Sequence, residues 1–593
     1  MQFLTLRDLI LPPPLPALIA ILIVASAAAI ARSPAAFIVV IGILGAVVNA
    51  LEIFHVATLP VLRILTAAFI ATALLSWKKP LKVGQAFSLP KSSPVERIAI
   101  CAIAAIVLFL FLAACGPVTD PDSLDYHIGV PLDWLRHSGI TAQPHWLHAR
   151  LTGIGEALNT LGLAAGTDCL GAVLQVSGLI AVMAAIAEWA KTPKDRLFGF
   201  LLSLPPALIP LATSQKPQLL PAAAIAIGLM RAMTAASTID FALVFGCIAF
   251  AMASKYSFAV SGAVVVAVAL YEAKKRGKLL VSISAAAIFA AAFLLPLLYR
   301  NWHLYGDPMS PFLERFHRNP NPEVTQFADY LGNVGGPHTL DGILSFLPHI
   351  LLPYGPGGIQ TFLGIGVLAI FLISVQNRDC KGAALKSSDQ PAYQWALPAG
   401  AAAVLLFTIW KGQMVPRYLL EPYYWCAAGA VAAPWSKWKS ALFYGLTLQT
   451  IGVAAMALFA AAILFPGALT PGLRESTMRR STFGYQQALW MDRVAPPNAT
   501  IMVDSRAYAL FPRPFVIPTC ASCGGATLFD LIRPDDLKQP NLILFPEYPV
   551  AGSMPAGCSS KQIAGPESFP YATRSPSLST PTYQSVALAV NCK

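Results

Sequence analysis

Residues Ile98 to His127 read IAICAIAAIVLFLFLAACGPVTDPDSLDYH. The first 18 of these, Ile98 to Cys115, carry no charge, and such a helix can cross a hydrocarbon core about 30 Å thick. The text then turns at Gly116-Pro117 and sets Asp120, Asp122 and Asp125 within six residues. A membrane span that ends directly in a carboxylate cluster decides the reading. The rest of the chain repeats the apolar theme: 56% of 593 residues are hydrophobic, 12% are charged, and the mean hydropathy is +0.62. Lipid is the principal solvent of such a sequence.

Working outward, apolar runs recur at 98–115, 170–190, 197–213, 217–233, 238–254, 257–272, 279–299, 357–375, 393–410, 418–434 and 440–465, with earlier ones at 15–31, 35–55 and 57–76. The predicted fold class is an all-α polytopic membrane protein of about 11 to 14 transmembrane helices with a small C-terminal α/β extracytoplasmic domain. The expected organisation is an N-terminal helical region with a basic loop over 1–97, a transmembrane region over 98–465, and a soluble domain over 466–593. The first apolar stretch follows the proline-rich Leu11 to Pro16 without a basic leader, so it is expected to be retained.

The net charge of +12 is expected to report topology, not a nucleic-acid partner, because Lys and Arg collect in cytoplasmic loops. The basic loops are Lys78 to Arg97, Lys191 to Arg196, Lys274 to Lys278, Arg378 to Lys386 and Trp435 to Lys439. Placing all five on one side puts 116–150, 213–218, 254–256, 301–354 and 411–417 on the other, together with the tail. The segment Leu151 to Ala165 is short for a span and contains Glu156 and Asn159, which reads as a juxtamembrane or partly inserted helix. Long non-helical connections beside a membrane are where function concentrates. Four cysteines, Cys520, Cys523, Cys558 and Cys592, fall in the tail and suit disulfides in an oxidising compartment.

The acidic cluster has two readings. Asp and Ser are good helix caps, so it can be a solvated turn. It can equally supply a general base, or a carboxylate pair holding a divalent metal against a phosphate. The cations Lys216, Lys255, Arg300 and Arg417 all fall at helix ends on the same side, with Tyr256 beside Lys255. Each alone can snorkel to the interface; together they suit a phosphate-bearing lipid.

The order of these pieces resembles a known family. Asp122-x-x-x-Tyr126, followed by Leu132, Asp133, Trp134, Leu135 and Ser138-Gly139, resembles the first periplasmic loop of GT-C glycosyltransferases. Relatives in that superfamily include aminoarabinose transferases of lipid A and protein O-mannosyltransferases. Ala253-Ser254-Lys255-Tyr256, Tyr299-Arg300-Asn301 through Gly306-Asp307-Pro308, and Arg417-Tyr418-Leu419-Leu420-Glu421-Pro422 are similar to later family text in the right order. Asp307 stands where the relatives have Asn, and the Lys-Pro-Pro that follows the loop in one branch has no counterpart at His148-Ala149-Arg150.

The resemblance implies a GT-C fold in a bacterial inner membrane with the tail periplasmic. It implies an inverting glycosyltransferase that takes a sugar from a polyprenyl-phosphate donor to a glycan, lipid or protein acceptor. Asp122 matches the proposed catalytic base, with Asp125, His127 and Glu156 as further catalytic candidates. Lys216, Lys255, Tyr256, Arg300 and Arg417 are the candidates for the donor phosphate. No cofactor is implied with certainty, and a divalent metal is left open. The alternatives are a transporter or flippase of a lipid-linked or anionic substrate, which would show an internal repeat and midplane charges, and a scaffold that has kept the fold without the activity.

Overall fold

The computed structural model describes residues 3–76, 93–332, 339–353, 362–369, 393–410, 415–503, 505–518, 527–572, 574 and 581–592. Most of the basic text at 78–97 and 378–386, most of the run at 357–375, and the Cys520/Cys523 pair lie outside these residues.

The chain is mostly helical. Among the described residues, seven helices are long and apolar enough to cross a membrane: Pro34–Ile53, Leu59–Ser76, Pro94–Ala114, Leu170–Trp189, Tyr256–Lys275, Leu279–Tyr305 and Lys437–Ala468. Burial sorts them by position. Leu170–Trp189 buries 83% of its apolar window inside the protein and is central, whereas Leu279–Tyr305 buries 11% and Leu59–Ser76 buries 17%, leaving their side chains for lipid.

Several expected spans are shorter than their apolar text. Leu219–Thr234 and Thr238–Ser254 have 16 and 17 residues, about 24 to 26 Å at 1.5 Å per residue, and pack within the bundle. The run at 197–213 is not one helix. It breaks between Pro193–Leu202 and Leu208–Ala212, where Pro205-Pro206 removes two N–H donors. Ile154–Ala165 forms as a separate helix and is buried along almost its whole length. Leu279–Tyr305 contains a π turn at Ala290–Leu294 directly before Pro296, the wider turn absorbing the missing hydrogen bond.

The charge-based sidedness has a geometric counterpart. Lys439, fully buried, donates to Asp195 at 2.8 Å, and Lys194 lies 4.2 Å from the Trp435 ring. Two basic loops assigned to one face therefore meet. At the other end, the connections at 116–150, 213–218, 254–256, 301–313 and 415–419 gather beneath the tail. The N-terminal segment joins them, since Arg7 donates to Tyr485 at 3.3 Å and Leu4 accepts from Arg136 at 2.9 Å.

The tail begins with helices Pro471–Ser481 and Tyr485–Val494 and continues into a mixed sheet. Its strands are β1 Thr500–Val503, β2 Phe515–Val516, β3 Leu542–Phe545, β4 Glu547–Tyr548, β5 Cys558–Pro570 and β6 Thr582–Cys592, in the order β2-β1-β3-β6-β4 with β5 also on β6. β1 runs parallel to β2 and β3, and the remaining pairs are antiparallel. The β5–β6 register sets Cys558 opposite Cys592, and the two form a disulfide. Between β2 and β3, Asp536–Lys538 forms a single short turn. Arg474 docks the domain on the bundle through buried Asp168 at 2.6 Å.

Candidate active site

The first loop leaves the membrane as a turn and re-enters order at once. Asp120 caps it, its carboxylate accepting from the Ser123 amide at 3.0 Å and hydroxyl at 2.8 Å. Ser123–His127 is a π turn, closed by Ile128 N–H donating to Ser123 O at 2.8 Å. Such turns are uncommon and are frequent at functional sites. This one fans Asp122, Asp125, Tyr126 and His127 in different directions.

Asp125 points inward and is fully buried. It accepts from Trp146 Nε1 at 2.9 Å and from Arg506 Nε at 2.8 Å, and faces His148 Nδ1 at 3.1 Å. Burial pushes its carboxyl up, but His148 and Arg506 outweigh that and hold it below the usual range. Asp122 points outward and keeps 33% of its side-chain surface. Its two oxygens meet different cations, Lys216 Nζ at 2.8 Å and Arg506 Nη2 at 3.2 Å. Burial again raises the carboxyl, and Lys216 followed by Arg506 brings it well below the usual range. Asp122 is thus ionised throughout the physiological range.

His127 and Glu156 form a separate buried pair. Nδ1 of the imidazole lies 2.6 Å from Glu156 Oε1, and Glu156 Oε2 accepts from the Gly153 amide at 2.7 Å. His127 Nε2 is buried without a protein partner, while Asn159 fixes the His127 carbonyl at 2.8 Å.

The predicted phosphate ligands divide into two layers. Lys216, Lys255 and Arg417 share one electrostatic neighbourhood with Asp122, Tyr126 and Tyr418. Lys255 donates to Gln218 at 2.7 Å, and both it and Arg417 lie 5.3 Å from the Tyr418 ring. Arg300 and Tyr256 form the layer behind. Arg300 is buried, with its N–H groups directed at Asn301 Oδ1 (2.9 and 2.7 Å) and Thr152 O (2.7 Å). Asn301 donates in turn to the Tyr256 hydroxyl at 2.8 Å. These donors brace the loop and do not face the opening. Asp307 accepts the Met309 and Leu313 amides at 2.7 and 3.1 Å, closing the same brace.

Sequence reasoning missed the tail's share. Arg506 reaches both Asp122 and Asp125, and Arg574 donates to Thr119 at 2.7 Å and Thr213 at 3.2 Å beside Asp120. Neither sits in a recognisable motif. Trp146 and His148, the other partners of Asp125, were legible as polar-capable residues of the same loop. A cavity of about 540 Å³ between the first loop and β2 is lined by Asp133, Arg136, Gln143, Trp146 and Phe515, and Asp120, Asp122 and Asp125 are not among its lining residues.

Residues 72–478 match the model of the DUF1420 N-terminal domain. The chain belongs to this family. No curated protein and no solved structure matches it. The DUF1420 match contains the first-loop carboxylates, Lys216, Lys255, Arg300 and Arg417, and it ends before Arg506 and Arg574. The family region therefore supplies the acids and most of the cations of the site, and the segment beyond it supplies two arginines. Among the described residues, no group of three or more His, Cys, Asp or Glu is arranged to hold a metal ion. The oxygens of Asp122 and Asp125 are directed at Lys216, Arg506, His148 and Trp146, so the donor set does not fit a metal pair.

Proposed function

We propose that this chain is a GT-C type, inverting glycosyltransferase of the cell membrane that takes its sugar from a polyprenyl-phosphate donor at the tail-covered face. One observation carries the reading. A one-third exposed, ionised carboxylate, Asp122, stands in a pool of cations delivered by separate connections of the bundle: Lys216, Lys255 and Arg417. A structural ion pair needs one partner. Five cations, Lys216, Lys255, Arg417, Arg506 and Arg574, against the three carboxylates Asp120, Asp122 and Asp125 suit an anionic lipid head group, for which charge-assisted contacts are strong.

In this reading the donor phosphate lies against Lys255 and Arg417, with Lys216 turning towards it from Asp122. Asp122 accepts the proton of the acceptor hydroxyl as its oxygen bonds to the anomeric carbon. The carbon–oxygen bond to phosphate breaks on the opposite face, and the cations take up the charge left on the prenyl phosphate. Tyr126 and Tyr418 border the space. Asp125, His127, Glu156, Arg300 and Tyr256 hold the frame. The acceptor is a glycan, lipid or protein hydroxyl.

The test is single-turnover sugar transfer from polyprenyl-phosphate sugars by the wild type and by Asp122→Asn, Asp120→Asn and Asp125→Asn. The expected result is near-complete loss in the folded Asp122 variant. Near-normal transfer by that variant would remove Asp122 as the base, and absence of transfer by the wild type from every such donor would remove the reading.

A further inference from the structure

Arg506 makes two unequal contacts. Its Nε and Nη2 hold Asp125 Oδ2 at 2.8 and 2.7 Å, while Nη2 reaches Asp122 Oδ1 at 3.2 Å. The Asp125 end is an anchor, because that carboxylate is fully buried and is itself fixed by Trp146 and His148. The Asp122 end is a single, longer contact on a side chain that keeps 33% of its surface, as Arg506 does. With Lys216 on its other oxygen, Asp122 has a cation on each oxygen, and both lower its basicity while they stay in place.

From this arrangement we infer that Arg506 is a phosphate-binding residue contributed by the C-terminal domain. It stays anchored on Asp125 and exchanges Asp122 for the donor's phosphate. Donor binding then takes Arg506 off one oxygen of Asp122, so that the carboxylate becomes a stronger base when a donor is present. This rests on the glycosyltransferase reading for the identity of the anion. The geometry gives the rest: an anion of phosphate size and charge is the ligand that competes with a carboxylate for a guanidinium, and its two oxygens match the fork of Arg. Asp125 becomes a positioning residue whose task is to aim Arg506.

The inference makes a prediction that a bracing role for Arg506 does not. Asp122 competes with the ligand for Arg506, so removing its charge improves binding. The experiment titrates a long-chain polyprenyl phosphate into the full-length protein in phosphatidylcholine nanodiscs. Arg506→Gln is expected to weaken binding at least tenfold, and Arg506→Lys to recover part of the loss. Asp122→Asn is expected to bind several-fold tighter than wild type, with a smaller gain in the Arg506→Gln background, where only Lys216 is released. Arg513→Gln removes the same charge from a tail arginine paired with Asp492 and is expected to bind like wild type.

Equal binding by Arg506→Gln and wild type overturns the inference and leaves the donor reading standing. So does a gain on Asp122→Asn that is the same in both backgrounds. A loss in Arg513→Gln as large as that in Arg506→Gln reduces the effect to tail stability and overturns it as well. Failure of the wild type to bind the probe overturns the donor reading and this inference together.

Discussion

The two ends of the helical bundle handle charge in opposite ways. At one end Lys439 is fully buried and gives its three donors to Asp195 Oδ1, Val431 O and Ala433 O at 2.8, 3.0 and 2.9 Å. One acid meets one base, and nothing is left over. At the other end Asp122 is one-third exposed and shared by Lys216 and Arg506, with Arg417 and Lys255 close by. Cations outnumber the acids they neutralise. A closed pair locates two helices, whereas an open, unbalanced cluster has capacity for a further anion. The distinction lies in the bookkeeping of partners, not in the presence of charge.

Substituting one residue at each end separates the two behaviours. Asp122→Asn keeps shape and most hydrogen bonds while removing the proton acceptor, and it is expected to lower the transfer rate by about 10² to 10⁴ with the melting temperature nearly unchanged. Equal turnover by mutant and wild type would place Asp122 with the structural pairs. Lys439→Met is the mirror case. It fills the same space but leaves the largely buried Asp195 carboxylate without its cation, and is expected to cost about 3 to 5 kcal/mol of stability with donor affinity intact in the protein that folds. A stable Lys439→Met protein would show that its end of the bundle is not closed after all.

Arg417→Ala has the next largest effect. Arg417 is only partly buried, and its nearest aromatic is Tyr418 at 5.3 Å. Its loss is expected to cost little in stability and about 1.5 to 3 kcal/mol in polyprenyl-phosphate binding. Calorimetry of the detergent-solubilised mutant checks the first part and nanodisc titration the second. Loss of stability without loss of affinity would make Arg417 a snorkelling anchor.

The contrast also explains what could be read in advance. The apolar runs and the sidedness of basic text were legible because hydropathy and charge act over whole segments. Lys194 over Trp435 and Lys439 on Asp195 show two such segments meeting. Asp122, Lys216, Lys255 and Arg417 were legible as candidates because each sits at a turn where chain direction is readable. The broken run at 197–213 was misjudged because its hydropathy is continuous across Pro205-Pro206. Arg300 and Tyr256 were read as phosphate ligands, but nothing in their text told a braced donor from a free one. Arg506 and Arg574 were not legible at all. They lie in a polar tail rich in arginine, and only the docking of that domain brings them within reach of Asp122 and Asp120.

The smallest expected effect is an absence of change over a defined pH window. The tail meets the first loop through Arg506 on Asp122 and Asp125, with Lys216, His148, Asp120 and Arg574 facing the same groups. Burial raises both carboxyls, and Lys216 and Arg506 at Asp122, with His148 and Arg506 at Asp125, override it and hold them below the ordinary value. A carboxyl whose folded value is depressed binds fewer protons in the native state. Its contribution is complete above the unfolded value of roughly 3.9 and is lost as pH falls through the lower folded value. Docking of the tail is therefore expected to stay constant from pH 8 down to about 4 and to weaken only below that. Limited proteolysis at the exposed Leu469-Thr470 junction between the last span and the tail, followed across this range, reads the docking directly. A tail that releases near pH 6 would mean that the carboxylates titrate from raised values, and that Lys216 and Arg506 do not hold them.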